Sequence, residues 1–162
     1  MTEEMVLKLA EEAVDLLRNK KMKIATAESC TGGMLSQYIT AVAGSSEVFE
    51  LGICSYSCNE KHKILKVRNK VLKRFGAVSD RAALEMAENI RKKAKADIGV
   101  SITGSAGPTS CEGHPAGYVY ISLSEKDRTT VKLLELEPVS RHYVRLSAVY
   151  EVLKAIIDFL KE

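Results

Sequence analysis

Two short strand-like runs each end in a glycine turn, and this pairing limits the fold more than any other feature of the chain. Lys23–Glu28, KIATAE, runs straight into SCTGG, and Asp97–Thr103, DIGVSIT, runs into GSAGP. A strand followed at once by a glycine turn and a helical pattern is the unit of an α/β sheet. Around these runs the chain alternates. Residues 2–20 carry Val6, Leu9, Ala10, Ala13, Leu16 and Leu17 at helical spacing behind a Thr2 cap, with no Gly or Pro inside. Gly32–Gly33 opens a second helix over roughly 33–42. The turn Ala43–Ser46 leads into Val48–Tyr56, VFELGICSY, which reads as a largely apolar, buried strand.

The spacing then predicts helices from about Asn59 to Val67, over 69–75, and from a Ser79 cap to about Lys95, with Gly76 ending the middle one. Tyr118–Ser124 and Thr129–Leu136 read as a hairpin through Glu125–Arg128. Pro138 and Ser140 start a last helix reaching about Leu160. The expected fold is therefore α/β: a three-layer α/β/α sandwich on a mixed, mostly parallel five-stranded sheet, with the hairpin arguing against a purely parallel one. With 162 residues, no internal repeat and no linker, residues 1–162 are expected to form one domain.

Composition excludes several function classes. Hydrophobic residues make up 46% and charged residues 28%, which suits a folded globule. The net charge of +3 is too small to argue for nucleic acid. No apolar run approaches a membrane span, and the acidic, amphipathic start predicts no signal peptide. The four cysteines, Cys30, Cys54, Cys58 and Cys111, include no CxxC pair and are expected to be reduced thiols of a cytoplasmic protein. Cys54, Cys58 and His62 are spaced by fours, but no second ligand pair follows, so no metal site is expected.

In such sheets ligands sit outside the carboxyl ends of the parallel strands. Three loops qualify as strand exits, Ser29–Gly33, Ser55–Lys61 and Gly104–Gly117, and the turn at Gly44–Ser46 is expected to be brought to them by the helix before it. Ser29, Thr31, Gly32 and Gly33 lie where a helix N-terminus could receive an anion, or where a hydroxyl could simply cap the helix. Gly44, Ser45 and Ser46 could supply a nucleophile or only cap a turn. Tyr56 ends a strand and Lys61 follows five residues on; a lysine near the interior has its ammonium desolvated and can act as a base, although a surface lysine is the commoner case. Thr103, Gly104 and Gly107 let backbone approach a ligand, or merely turn. Gly104–Gly117, GSAGPTSCEGHPAG, is the one long loop, and a loop that long in a compact domain is usually functional. Arg141 and Arg145 are one helical turn apart and could clamp a phosphate or only solvate a helix face.

Taken in order, TAESCTGG, AGSSEVFELGICSYSCNEK, GAVS, ITGSAGP, PAGYVYI and an arginine-containing final helix resemble the C-terminal domain of the competence/damage-inducible CinA family. That domain also occurs alone as nicotinamide-nucleotide amidase. The resemblance runs from about Lys23 to Leu160 and implies an α/β/α amidase that hydrolyses the carboxamide of a small pyridine mononucleotide, nicotinamide mononucleotide, to nicotinate mononucleotide and ammonia. It implies no cofactor and no metal, since the family's metal-dependent pyrophosphatase belongs to a separate N-terminal domain. Matched to the family's motifs, the nucleophile falls on Ser46, with Tyr56 and Lys61 activating it; Ser29 is the reserve nucleophile, because its strand-to-helix turn is also suited to presenting a hydroxyl. Ser29, Thr31, Gly32, Gly33, Gly44, Ser45, Thr103, Gly104, Gly107, Arg141 and Arg145 fall on substrate-binding positions. A homo-oligomer without nucleic-acid or membrane partners is expected. The alternatives are a non-catalytic nucleotide-binding module and a competence/damage-associated factor. Three departures from the family pattern, Cys58, the loop TSCEGHP and Val139-Ser140-Arg141, bear on substrate preference.

Overall fold

Five strands form one sheet in the order β2-β1-β3-β4-β5 in the computed structural model, which describes all residues 1–162. Along the chain come α1 (Glu3–Lys20), β1 (Ile24–Glu28), α2 (Met34–Thr40), a 3₁₀ turn (Ser45–Glu47), β2 (Phe49–Cys54), α3 (Cys58–Lys63), α4 (Asn69–Phe75), α5 (Asp80–Ala94), β3 (Ile98–Gly104), β4 (Tyr118–Ser124), β5 (Thr129–Glu135) and α6 (Arg141–Lys161). β1 pairs in parallel with β2 and β3, and the β4–β5 hairpin adds antiparallel to β3. This is the expected mixed α/β sheet.

The helices start where side chains can take up their free N–H groups. Thr2, Ser57, Ser79 and Ser140 cap α1, α3, α5 and α6 through their hydroxyls. α1, α2 and α6 cover one face of the sheet, where Val6, Leu17, Leu35, Ile98, Ile102, Val149 and Val152 share one buried cluster. The α3–α5 segment covers the other face, over Ala25 and Ala27 with Val71, Met86 and Ile90. Small residues on β3 let α5 lie directly on the sheet. A side chain at Gly99 would collide with the Ala87 carbonyl, and the Ser101 hydroxyl donates to the Ala83 carbonyl at 2.7 Å.

β2 differs from the expectation of a buried strand. It lies at the sheet edge with β1 as its one neighbour, and its residues alternate between half-buried and exposed. An apolar run cannot by itself distinguish a central strand from an edge one. α3 is also shorter than expected, stopping at Lys63, and Lys66 then turns the chain with φ 58°.

The layering sets where a site can form. From β1 the chain leaves toward the α1/α2/α6 face, and from β2 it leaves toward the α3–α5 face. A crevice opens where neighbouring strand exits diverge in this way.

Candidate active site

Glu28, the last residue of β1, is fully buried, and five donors converge on its carboxylate. Oε2 accepts the Thr31 hydroxyl at 2.7 Å and the Gly33 and Leu35 N–H groups at 3.1 and 3.0 Å. Oε1 accepts the Ser36 N–H at 2.9 Å and its hydroxyl at 2.7 Å. A buried carboxylate is tolerated when its lone pairs are satisfied in this way. The consequence is that the first N–H groups of α2 are already occupied. Gly32 N–H is spent on the Ser29 carbonyl at 3.0 Å. The expectation that Thr31, Gly32 and Gly33 present a helix N-terminus to an anion is therefore corrected: their own neighbour fills it. The glycines serve the turn itself, with φ of 59° and 92° that favour glycine.

What this turn presents to the crevice is Ser29. Its N–H donates to the Ile102 carbonyl at 3.0 Å, which fixes its backbone to β3. The Lys61 ammonium group lies 2.8 Å from the Ser29 hydroxyl and donates at 2.7 Å to the Ser55 carbonyl at the exit of β2. Lys61 is 1% exposed. Burial pulls its pKa below the ordinary lysine value, partly offset by the thiols and Glu112 nearby. Three strand exits and a helix thus meet at one Ser–Lys contact.

Ser29 and Lys61 line a cavity of about 470 Å³ with Tyr56, Ser105, Ala106 and Arg141 among its other walls. Cys30, Ala106 and Gly107 line the same cavity, and their N–H groups donate to no protein acceptor. The buried Ser105 hydroxyl is likewise without a partner. Unmet donors on buried residues are uncommon in folded proteins, and here they belong to residues that line the same cavity as Ser29 and Lys61. Tyr56 is 61% exposed at the cavity wall. Its hydroxyl accepts from Arg141 at 2.7 Å rather than from Lys61, while Arg141 also donates to the Gly107 carbonyl at 2.6 Å.

The comparisons with known proteins agree on one family. The chain matches the CinA C-terminal domain over residues 6–160. A CinA-like protein of Kosmotoga olearia is 50% identical over 129 residues, 79% of this chain and 31% of that protein. A protein named as competence-damage inducible, from Thermoanaerobacter pseudethanolicus, is 44% identical over 153 residues, 94% of this chain and 37% of its own length. The chain belongs to the CinA C-terminal domain family. It spans about a third of the length of these curated relatives. Solved structures of comparable size resemble it closely. The competence/damage inducible protein CihA of Agrobacterium tumefaciens superposes with a TM-score of 0.94 at 29% identity, covering 100% of this chain and 99% of that one. A competence or damage-inducible protein of Enterobacter asburiae gives 0.92 at 33% identity, covering 96% and 98%.

Within this CinA domain the remaining expected residues fall in different places. Ser46 is the main correction. It is exposed on the 3₁₀ turn that precedes β2, at the end of the sheet where the Ile24 N–H meets the Val48 carbonyl. Helix α2 carries the chain back along the sheet, so Gly44, Ser45 and Ser46 are separated from Lys61 by the length of β2, about 20 Å for a six-residue strand. Gly44 instead lies beside Arg18, and Ser45 is buried with its N–H on the Val42 carbonyl. Arg145 donates to the Thr31 carbonyl at 2.7 Å and is absent from the cavity wall, so it braces the Ser29 turn. Thr103 does line the cavity, but its hydroxyl is spent on the Ala77 carbonyl at 2.7 Å. Gly104 and Gly107 are on the wall as expected; a side chain at Gly104 would strike the Tyr118 carbonyl.

Cys30 follows Ser29 directly, and burial pushes its pKa up to about 12 despite the nearby Lys61 and Arg141. It is a protonated thiol and a poor nucleophile. Glu28 and Ser55 lie in candidate turns that the sequence points to, but the sequence assigns neither a role. The signal for Glu28 was available: it is a charged residue closing an otherwise apolar strand immediately before a glycine turn.

Proposed function

We propose that this chain is a serine amidase that removes ammonia from the carboxamide of nicotinamide mononucleotide, with Ser29 as nucleophile and Lys61 as its base. The observation that carries this reading is the 2.8 Å contact between the Lys61 nitrogen and the Ser29 hydroxyl in a buried setting. A nucleophile and its base need this separation, and burial favours the neutral amine that can accept the proton. The neutral amine keeps one N–H on the Ser55 carbonyl and offers its lone pair to Ser29.

In the first half-reaction Ser29 gives its proton to Lys61 and its oxygen attacks the carboxamide carbon. The oxyanion that forms has preorganised donors within the cavity, the unspent N–H groups of Cys30, Ala106 and Gly107. Collapse breaks the carbon–nitrogen bond, and the Lys61 proton leaves with the departing ammonia. Water then gives a proton to Lys61 and attacks the Ser29 ester, which releases the carboxylic acid product and restores the hydroxyl. Arg141 has guanidinium donors beyond the two it uses and serves the phosphate end of the substrate.

The test is ammonia release from nicotinamide mononucleotide by the purified protein, followed by the Ser29→Ala protein. Turnover that disappears with Ser29 is expected. No ammonia from the mononucleotide, the riboside or free nicotinamide would remove the amidase reading.

A further inference from the structure

The long loop after β3 carries a feature that the reaction above does not use. Cys111 and His114 exchange backbone hydrogen bonds at 3.0 and 2.9 Å, which folds Glu112 and Gly113 into the two central places of a tight turn. Both have positive φ, 51° and 81°, the pattern of a type I′ turn. Glutamate is not a residue that such a position favours. Its carboxylate is directed by contacts across the cavity. Oε2 accepts the Val78 N–H at 2.9 Å, and a side chain at Gly76 would stand 2.5 Å from that oxygen. Oε1 has only the Cys58 thiol, at 3.9 Å.

Glu112 is the one carboxylate on the cavity wall, because Glu28 lies beneath the Ser29 turn with its oxygens fully committed. The other formal charges on that wall are Lys61, whose burial disfavours the cation, and Arg141, which bridges Tyr56 and Gly107. The cavity is therefore polarised, with a fixed positive group toward α6 and a fixed negative group toward the Gly76–Val78 segment. Such a cavity suits a ligand that carries positive charge on one part and negative charge on another.

We propose that Glu112 is a specificity-determining residue that selects a carboxamide borne on a cationic, N-substituted pyridinium ring over the same carboxamide on a neutral ring. The inference rests on the amidase reading for the carboxamide. Its charge preference is separable from turnover. A carboxylate oxygen beside the bound ring, contacted only by the Cys58 thiol, lowers the energy of the cation and does nothing for the neutral ring. Because Glu112 is open to solvent, the expected preference is modest, about fivefold.

The experiment uses the full chain with Ser29→Ala, so that no substrate is consumed, and titrates it with 1-methylnicotinamide and with nicotinamide. The two probes share the carboxamide and differ in ring charge. The cation should bind about fivefold tighter, and raising the salt concentration should narrow the gap. Adding Glu112→Gln keeps an acceptor for the Val78 N–H but removes the charge. It should abolish the preference by weakening the cation alone. Equal binding of the two probes before Glu112 is changed overturns the proposal, and this comparison needs no folded Glu112 variant. A preference that survives Glu112→Gln also overturns it, as does equal weakening of both probes, which would mark a structural or amide-binding role. A retained charge preference with no ammonia release from any substrate would sink the amidase reading and leave this one standing.

Discussion

Two serine turns in this chain look alike in sequence and behave differently in space. Ser29 stands before Gly32–Gly33 and Ser46 stands after Gly44, and in both turns the glycines take positive φ. The Ser29 turn follows a parallel strand, so it lies at the carboxyl end of the sheet among the exits of β2 and β3. The Ser46 turn precedes a parallel strand, so it lies at the opposite end. Their supports differ as well. The Ser29 turn is built over a buried carboxylate with five donors, whereas the Ser46 turn is flanked by a surface ion pair, Arg18 with Glu47 at 3.1 Å. A serine beside a glycine acquires chemistry from the end of the strand it occupies and from what its backbone is tied to.

The largest expected effect tests this contrast directly. Ser29→Ala should lower kcat for ammonia release at least ~10³-fold, as nucleophile removal does in triad hydrolases, with substrate affinity largely kept. Ser46→Ala should leave turnover and affinity unchanged. The reverse pattern, a dead Ser46→Ala protein beside an active Ser29→Ala protein, would return the nucleophile to the far turn.

The second contrast is between the two supports. Glu28→Ala leaves three backbone N–H groups and two hydroxyls without their shared acceptor in a buried place. It should cost about 3–5 kcal/mol in chemical denaturation. Glu47→Ala removes one exposed ion pair and should cost at most ~1 kcal/mol. A Glu28 variant as stable as the Glu47 variant would show that the Ser29 turn does not depend on its carboxylate.

The element order was legible from periodicity, because strands and helices of ordinary length alternate and serine or threonine caps mark their starts. Tyr118–Ser124 and the Ser140 cap are found where spacing places them. The edge position of β2 was not legible, since strand order depends on which crossover lies on which face. For the site, Lys61, Tyr56, Gly104, Gly107 and Arg141 could be selected from sequence, and they share the cavity. The partner of Lys61 could not be selected. Ser29 is 32 residues from Lys61 and Ser46 is the nearer in sequence, and only the path of α2 back along the sheet shows which of them Lys61 meets. The consumption of the α2 N–H groups by Glu28 was equally hidden, because it depends on the depth at which a strand-end carboxylate lies.

The two C-terminal arginines extend the comparison to substrate binding. Arg141 lines the cavity and Arg145 holds the Thr31 carbonyl. Arg141→Ala should raise KM for the mononucleotide roughly tenfold to a hundredfold, the range for a charge-assisted hydrogen bond, and change KM for the riboside little. Arg145→Ala should affect both substrates alike, by loosening the Ser29 turn. Equal losses on both substrates for Arg141→Ala would make it a brace like its neighbour.

The smallest effect concerns the energetic cost of keeping Lys61 ready at the Ser29 turn. Burial lowers its pKa in the folded protein, while the unfolded chain has the ordinary lysine value of 10.5. Between the folded pKa and 10.5 the unfolded state therefore holds more protons than the folded one. By linkage, stability must rise with pH across that window. Above the window the two states are equally deprotonated, and the penalty is gone. Below the folded pKa both bind the proton, so the penalty stays constant at its largest. The denaturation midpoint should thus drift upward as the pH is raised through the folded pKa of Lys61 toward the ordinary lysine value of 10.5. Lys61→Met, which has no proton to bind, should flatten that contribution, whatever it does to stability at a single pH. The midpoint of the acid limb of kcat/KM, where Lys61 gains its proton and can no longer accept one from Ser29, should fall at the lower edge of the same window. A wild-type stability slope that persists unchanged in Lys61→Met would mean that Lys61 is an ordinary cation, and the Ser29 turn would then lack its base.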